Sequence, residues 1–329
     1  EGRSSRVVKN LQAGVDPNGE KDGRTPIAAA IKAKNLAIVS ELLKYRINLK
    51  KNACASGNAL FCALDRFPPA VEPLLRAGAN PNATNERGDL LLTVVVMKGA
   101  TLNYLSARTL LKHGADVNRC GENGNAPLAT VLRRGGSADA MRFLLKNGAD
   151  LNVLVNKKTP LFAYALLEAK SAKKALLLKK FRAKVDAADA KGRTALIREL
   201  ENGGNADTVA FLIKNGADVN ARSADRQTPL LAAVKAKASD SVLNKLIAAG
   251  ADVNAADADG NSAVAYTVKT RETVTRELNR LDLLRKHGAD MSAVSGKGET
   301  IADFLRAENQ NVITDERYWE LLKKVSAGK

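Results

Sequence analysis

The chain has 329 residues, 45% hydrophobic and 26% charged but only 4% aromatic, which excludes disorder throughout and asks for an aliphatic, helix-packed core rather than a β-sandwich or barrel. Fifty-two Lys and Arg against 35 Asp and Glu leave +17, a charge that favours anionic or acidic partners, opposes self-association and predicts a monomer in the absence of a partner. The longest apolar run, Leu90 to Met97, is far short of the ~18 residues of a membrane span.

In chain order, the first expected element is a helix around Arg6 to Leu11, an orphan second helix, followed by Gly14-Val15-Asp16-Pro17-Asn18. That five-residue pattern returns at Gly78-Ala79-Asn80-Pro81-Asn82, Gly114-Ala115-Asp116-Val117-Asn118 and Gly148-Ala149-Asp150-Leu151-Asn152. It continues at Gly216-Ala217-Asp218-Val219-Asn220, Gly250-Ala251-Asp252-Val253-Asn254 and Gly288-Ala289-Asp290-Met291-Ser292, with copies at Arg46 and Arg182 that lack the glycine. The step is 34 residues over several consecutive units and 36 and 38 where helices lengthen. Each glycine follows an apolar pair and a basic residue, as in Leu144-Leu145-Lys146-Asn147-Gly148, the signature of a helix ended by a left-handed residue.

About ten residues after these glycines a second signal recurs, at Thr25-Pro26-Ile27, Thr159-Pro160-Leu161, Thr194-Ala195-Leu196 and Thr228-Pro229-Leu230. Threonine before proline reads as an N-cap with proline at the first helical position. The spacing therefore predicts nine helix pairs, each a turn, a short helix, a loop and a second helix ending in an apolar pair. Phe67-Pro68-Pro69 and Pro73 force the start of one second helix, and Thr101 to Lys112 and Thr270 to Lys286 lengthen two others. Ile301 to Val325 reads as a capping pair whose outer face, with Asp303, Glu308, Glu316 and Lys323, has no neighbour to meet.

These two motifs, in phase along nearly the whole chain, resemble the ankyrin-repeat family. The resemblance implies an all-α repeat solenoid over 1–329, with a partial repeat at 1–19, repeats over 20–299 and a C-terminal cap at 300–329. The family's histidine after Thr-Pro-Leu is absent from every unit, Ala28, Phe61, Phe162, Ile197 and Leu231 being among the residues in its slot. Its loss removes a hydrogen bond between neighbouring finger loops and with it a source of regularity in the stack.

The excess positive charge belongs to the helical segments, above all Lys170, Lys173, Lys174, Lys179 and Lys180, and Arg271, Arg276, Arg280, Arg285 and Lys286, while the fingers are close to neutral. In the family, partners dock on finger tips and on inner-helix positions lining the concave face. Carried over by position, these are Arg24, Lys32, Arg66, Arg87, Asp89, Lys98, Asn123, Asn125, Arg133, Arg134, Lys158, Lys191, Arg193, Arg198, Arg226, Lys235 and Lys269. With Asp89 the one acid among them, the set predicts a partner surface bearing carboxylates, met by bidentate arginines. Nucleic acid is disfavoured, since only Phe162, Tyr164 and Tyr266 are expected near the surface to stack on bases.

No catalytic residue, cofactor or metal site is expected. His113 and His287, the only histidines, both precede a closing glycine and suit helix C-termini. Ser171-Ala172-Lys173-Lys174 has the spacing of a serine nucleophile motif without its companions, Asp257-Ala258-Asp259-Gly260 lacks the closing glutamate of a calcium loop, and Ser295-Gly296-Lys297-Gly298 lacks phosphate-loop spacing. Cys54, Cys62 and Cys120 are too few for a disulfide framework, with Cys62 expected to be buried on an inner helix. A start at Glu1 fits removal of a signal segment or a boundary within a longer chain.

The reading is a non-enzymatic module that binds a folded protein by rigid surface complementarity. Its Ala- and Lys-rich divergent units and positive charge look like bacterial extracytoplasmic ankyrin proteins. Among these are the self-protection (immunity) proteins of predatory bacteria, which inhibit cell-wall D-Ala-D-Ala peptidases. That likeness implies a periplasmic or otherwise extracytoplasmic inhibitor whose partner is such a peptidase. The alternatives are a bacterial scaffold or secreted effector, with a cytoplasmic location also open, and a basic module for nucleic acid or an anionic surface.

Overall fold

The computed structural model describes residues 2–20, 24–50, 52–54, 57–269 and 274–291. The capping pair at Ile301 to Val325, the start of the last long helix at Thr270 and Arg271, and Ser295 to Gly298 lie outside the described residues. Seventeen α-helices occur among the described residues, and two compact units divide them.

The first unit comprises Glu1–Lys157 with Leu176–Phe181. It opens with α1 (Gly2–Gln12), the expected orphan, which packs on α3. Four pairs follow: α2 (Pro26–Lys32) with α3 (Leu36–Leu42), α4 (Ala59–Arg66) with α5 (Val71–Arg76), α6 (Leu91–Lys98) with α7 (Thr101–Lys112), and α8 (Pro127–Arg133) with α9 (Ala138–Lys146). Inner helix packs on inner helix for α2 on α4 and α6 on α8. The Pro68–Ala70 segment forms a 3-10 turn ahead of α5, and Pro73 sits in the first turn of α5, where a missing N–H costs nothing. At 12 residues α7 is lengthened as its sequence predicts.

The second unit comprises Lys158–Ala175 and Arg182–Lys329. It begins with α10 (Leu161–Ala163), which runs on as a π-helical turn over Tyr164–Glu168, and α11 (Ala172–Lys180) crosses its boundary. Then come α12 (Ala195–Glu201) with α13 (Ala206–Lys214), α14 (Pro229–Lys235) with α15 (Asp240–Ala248), and α16 (Ala263–Lys269) with α17 (Val274–Lys286). Helix α14 touches both α12 and α16, so every residue from Pro229 to Val234 is buried. Each of its leucines gains about 2 kcal/mol from leaving water. The outer α13 packs on α12 and α15 and buries only Val209 and Leu212.

Each position of the Gly-Ala-Asp-Val-Asn pattern has a separate physical task. Gly114 takes φ 90°, which lets its own N–H reach the Leu111 carbonyl and the Ala115 N–H reach that of Leu110, closing α7 as a Schellman motif. Arg182, in the glycine slot of a degenerate copy, adopts the same left-handed backbone at φ 71°, at about 1 kcal/mol. The Asp116 carboxylate accepts the N–H of Asn118 and fixes the turn. The asparagine then reaches one repeat onward. Asn118 donates to the Gly148 carbonyl at 3.1 Å and accepts the Asp150 N–H at 2.7 Å. Asn82 bonds Gly114 and Asp116 in the same way, Asn220 bonds Gly250 and Asp252, and Asn254 bonds Gly288 and Asp290.

At the opposite end of each unit, Thr25, Thr194 and Thr228 are buried and accept the N–H three residues on, as N-caps should. Thr159 does not. The helix that follows starts at Leu161 with Pro160 as its N-cap residue and no side-chain cap, and the Thr159 hydroxyl donates to Glu168 at 3.1 Å because the π turn carries that carboxylate back toward it. Finger loops are linked by backbone bonds, Glu122 N–H to the Gly88 carbonyl, Ala224 to Lys191 and Ala258 to Asp225. These, with the asparagines, hold neighbours in register without the family's histidine.

Cys62 is buried, as expected, but is also disulfide-bonded, while Cys120 is free and exposed. Three cysteines are too few for a framework yet enough for one staple. No described helix is long and apolar enough to cross a membrane.

Candidate protein-binding surface

Basic residues end the inner helices: Lys32, Arg66, Lys98, Arg133, Lys235 and Lys269 are the last residues of α2, α4, α6, α8, α14 and α16. Their cations face the negative ends of the helix dipoles, which favours that placement by some tenths of a kcal/mol each. Arg24, Arg87, Asn123, Lys158, Lys191 and Arg226 are exposed finger residues, and Arg193 is half-buried.

Two of the seventeen expected contact residues are not available to a partner. Asp89 is buried at the base of its finger, where its carboxylate pairs with Arg134 at 2.6 Å and accepts from Asn123 at 3.3 Å. Asn125 is buried too, bonding Asn156 through both its side-chain atoms. Both are short polar side chains that satisfy backbone and neighbours inside a turn.

The expectation of a face almost without acids also needs correction. Lys98 pairs with Asp65 at 2.7 Å, and Arg66 lies 4.0 Å from the same carboxylate. In the second unit Arg198 pairs with Glu168 at 2.9 Å, and Arg193 holds Asp189 at 2.8 Å and Glu201 at 3.1 Å. Burial pushes the Asp189 carboxyl upward, but the Arg193 guanidinium and two backbone N–H groups outweigh it and leave it below the usual carboxylate range. Among the described residues of the set, Arg24, Lys32, Arg87, Arg133, Lys158, Lys191, Arg226 and Lys235 have no carboxylate within 4 Å. The unpaired cations are therefore mostly on fingers.

The partners of Lys98, Arg198 and Arg134 all come from the neighbouring repeat, 33, 30 and 45 residues away, so no local spacing announces them. Asp189 and Arg193 are four apart and were legible as a pair.

The aromatic expectations divide as well. Phe162 is buried at 1% exposure and can stack on nothing outside the protein. Tyr266 is half-buried, with Lys235 Nζ 4.7 Å from its ring centre and its hydroxyl donating to Asp257. Burial, then the Asp257 carboxylate, raises its pKa far above the ordinary phenol range. Asp257 is also the finger's own turn acceptor, bonding the N–H groups of Asp259 and Asn261. His113 follows the last residue of α7 and His287 that of α17, both at helix C-termini. The Ser171 hydroxyl accepts the Lys174 N–H at the start of α11, which accounts for that serine without a nucleophilic role.

Two family models match the chain. The model for ankyrin repeats (3 copies) covers residues 1–85 and 60–155, and that for the ankyrin repeat covers residues 191–224 and 225–258. A search of curated proteins finds no match. Among solved structures, the ankyrin repeat domain of Bcl-3, a unique member of the IkappaB protein family, is similar at 23% identity and a TM-score of 0.56. That alignment spans 69% of this chain and 100% of the other. Repeat period, helix pairing and family models agree: the chain belongs to the ankyrin-repeat family.

Proposed function

We propose that this chain is a non-enzymatic ankyrin module that binds a folded partner protein through its finger and inner-helix face. The observation that carries the reading is the set of unpaired finger cations, Arg24, Arg87, Lys158, Lys191 and Arg226, presented on backbone already ordered by turn and inter-repeat hydrogen bonds. A pre-organised surface loses little entropy on binding, so a few Arg anchors can supply most of the affinity. The matching partner surface is rich in carboxylates. The partner is an enzyme that this chain inhibits, a bacterial cell-wall peptidase acting on D-Ala-D-Ala being the substrate class that the resemblance favours. An extracytoplasmic location is supported by the disulfide at Cys62, since such bonds persist in oxidising compartments.

The test is inhibition of purified D-Ala-D-Ala carboxypeptidases by the full chain, together with the variant R24E/R87E/K191E. These side chains are exposed and without ion pairs, so their reversal leaves folding intact. Inhibition by the parent and its loss in the variant is the expected result. Equal inhibition by both would move the interface off this face, and no inhibition of any such peptidase would remove the peptidase assignment.

A further inference from the structure

The outer helices α7 and α9 carry a feature that the inner face does not explain. Leu102 and Leu105 on α7 are 54% and 52% exposed, among the most exposed large apolar residues described. Beside them the Tyr104 and Phe143 rings meet at 5.1 Å between centres, tilted by 31°. Tyr104, Phe143 and Leu105 line an open cavity of about 310 Å³ between the two helices. The Tyr104 hydroxyl at this cavity is buried and has no hydrogen-bond partner among the described residues.

The rim is cationic. Arg108, Arg142 and Lys146 line the cavity with a single acid, Asp139. Asp139 pairs with Arg142, and no carboxylate lies within 4 Å of Arg108 or Lys146 among the described residues.

We propose that the α7–α9 groove is a second docking site, taking an acidic amphipathic helix of another protein. A large apolar side chain of that helix fills the cavity and its flanking carboxylates meet Arg108 and Lys146. Charge complementarity selects this occupant. A second copy of this chain would bring another +17 against the same cations, whereas a helix with Leu or Phe among glutamates matches both floor and rim. The volume is at the lower end of ligand cavities and suits one or two anchoring side chains.

The experiment measures fluorescence anisotropy of a labelled twelve-residue peptide with Leu and Phe four positions apart among glutamates, titrated with the full chain. Two control peptides replace either the apolar pair by Ala or the glutamates by Gln. The chain variants are L105S and R108E, both at exposed positions, checked for folding by circular dichroism. Saturable binding that weakens more than tenfold in L105S, in R108E and with either control peptide is the expected result. Binding that ignores L105S and the Ala control and vanishes with added salt would be general attraction to the +17 chain and would overturn the proposal, as would no binding. Because R24E/R87E/K191E leaves this groove untouched, retained peptide binding in that variant separates failure of one site from failure of the other.

Discussion

The clearest test of how the repeats are joined is Asp186, which stands where Asn82, Asn118, Asn220 and Asn254 stand in other repeats. Each asparagine donates to the next glycine carbonyl and accepts the next aspartate N–H at 2.7 or 2.8 Å. Asp186 can only accept, and it shares the Asp218 N–H between its two oxygens at 3.1 and 3.2 Å. Burial pushes its carboxyl above the ordinary carboxylate range. The Asp218 N–H opposes this and the Asp218 carboxylate adds to it. Asp186→Asn supplies a new N–H for the Gly216 carbonyl, about 1 kcal/mol net, and removes a partly desolvated charge. The residue is half exposed, so solvent screening keeps the electrostatic part small. A total gain of about 1–2 kcal/mol follows, or a rise of melting temperature by roughly 2–4 °C per kcal/mol for a unit of this size.

The pH dependence gives the sign. A carboxyl whose pKa is higher folded than unfolded binds its proton more tightly in the native state, so the parent chain loses stability as pH rises through the raised value. The Asn variant carries no such group. Its advantage is therefore full at pH 7 and shrinks as pH falls through the folded pKa of Asp186, where the protonated acid can itself donate to Gly216. Urea denaturation of parent and variant at pH 7 and at pH 4 reads this directly. A variant that is less stable at pH 7, or equally favoured at both pH values, would refute the reasoning.

Three further outcomes are expected. Arg134→Ala leaves the Asp89 carboxylate, 2% exposed, without its counter-charge and lowers stability of the first unit by about 2–4 kcal/mol, measured by urea denaturation; a loss under 1 kcal/mol would contradict it. Gly192→Ala is strained twice, by φ 72° and by a Cβ placed 2.8 Å from the Ala224 nitrogen, so it costs about 1–3 kcal/mol and exposes the Ala224 amide to hydrogen exchange. Thiol titration of the native chain counts one reactive cysteine, Cys120, and reductant lowers the melting temperature; three reactive thiols would remove the staple and the compartment inference with it.

The sequence by itself determined the repeat, because its signals are local. A glycine that must be left-handed, a threonine that must cap and apolar pairs at helix ends each act within a few residues of themselves. Hence helix pairs, the long α7, the proline-forced start of α5 and the histidines at helix ends are legible in the sequence alone. The tertiary structure alone decided which polar groups are occupied. Asp89 and Asn125 become interior groups, and Arg134 and Arg198 become halves of ion pairs, through residues 30–45 positions away that only stacking brings near. The π turn that draws Glu168 to Thr159 and the disulfide at Cys62 are likewise invisible to spacing. So is the groove between α7 and α9, since an aromatic pair on two helices reads in sequence as two unrelated core residues. Local rules set the backbone one repeat at a time, whereas exposure and pairing depend on neighbouring repeats and exist only once those repeats are packed together.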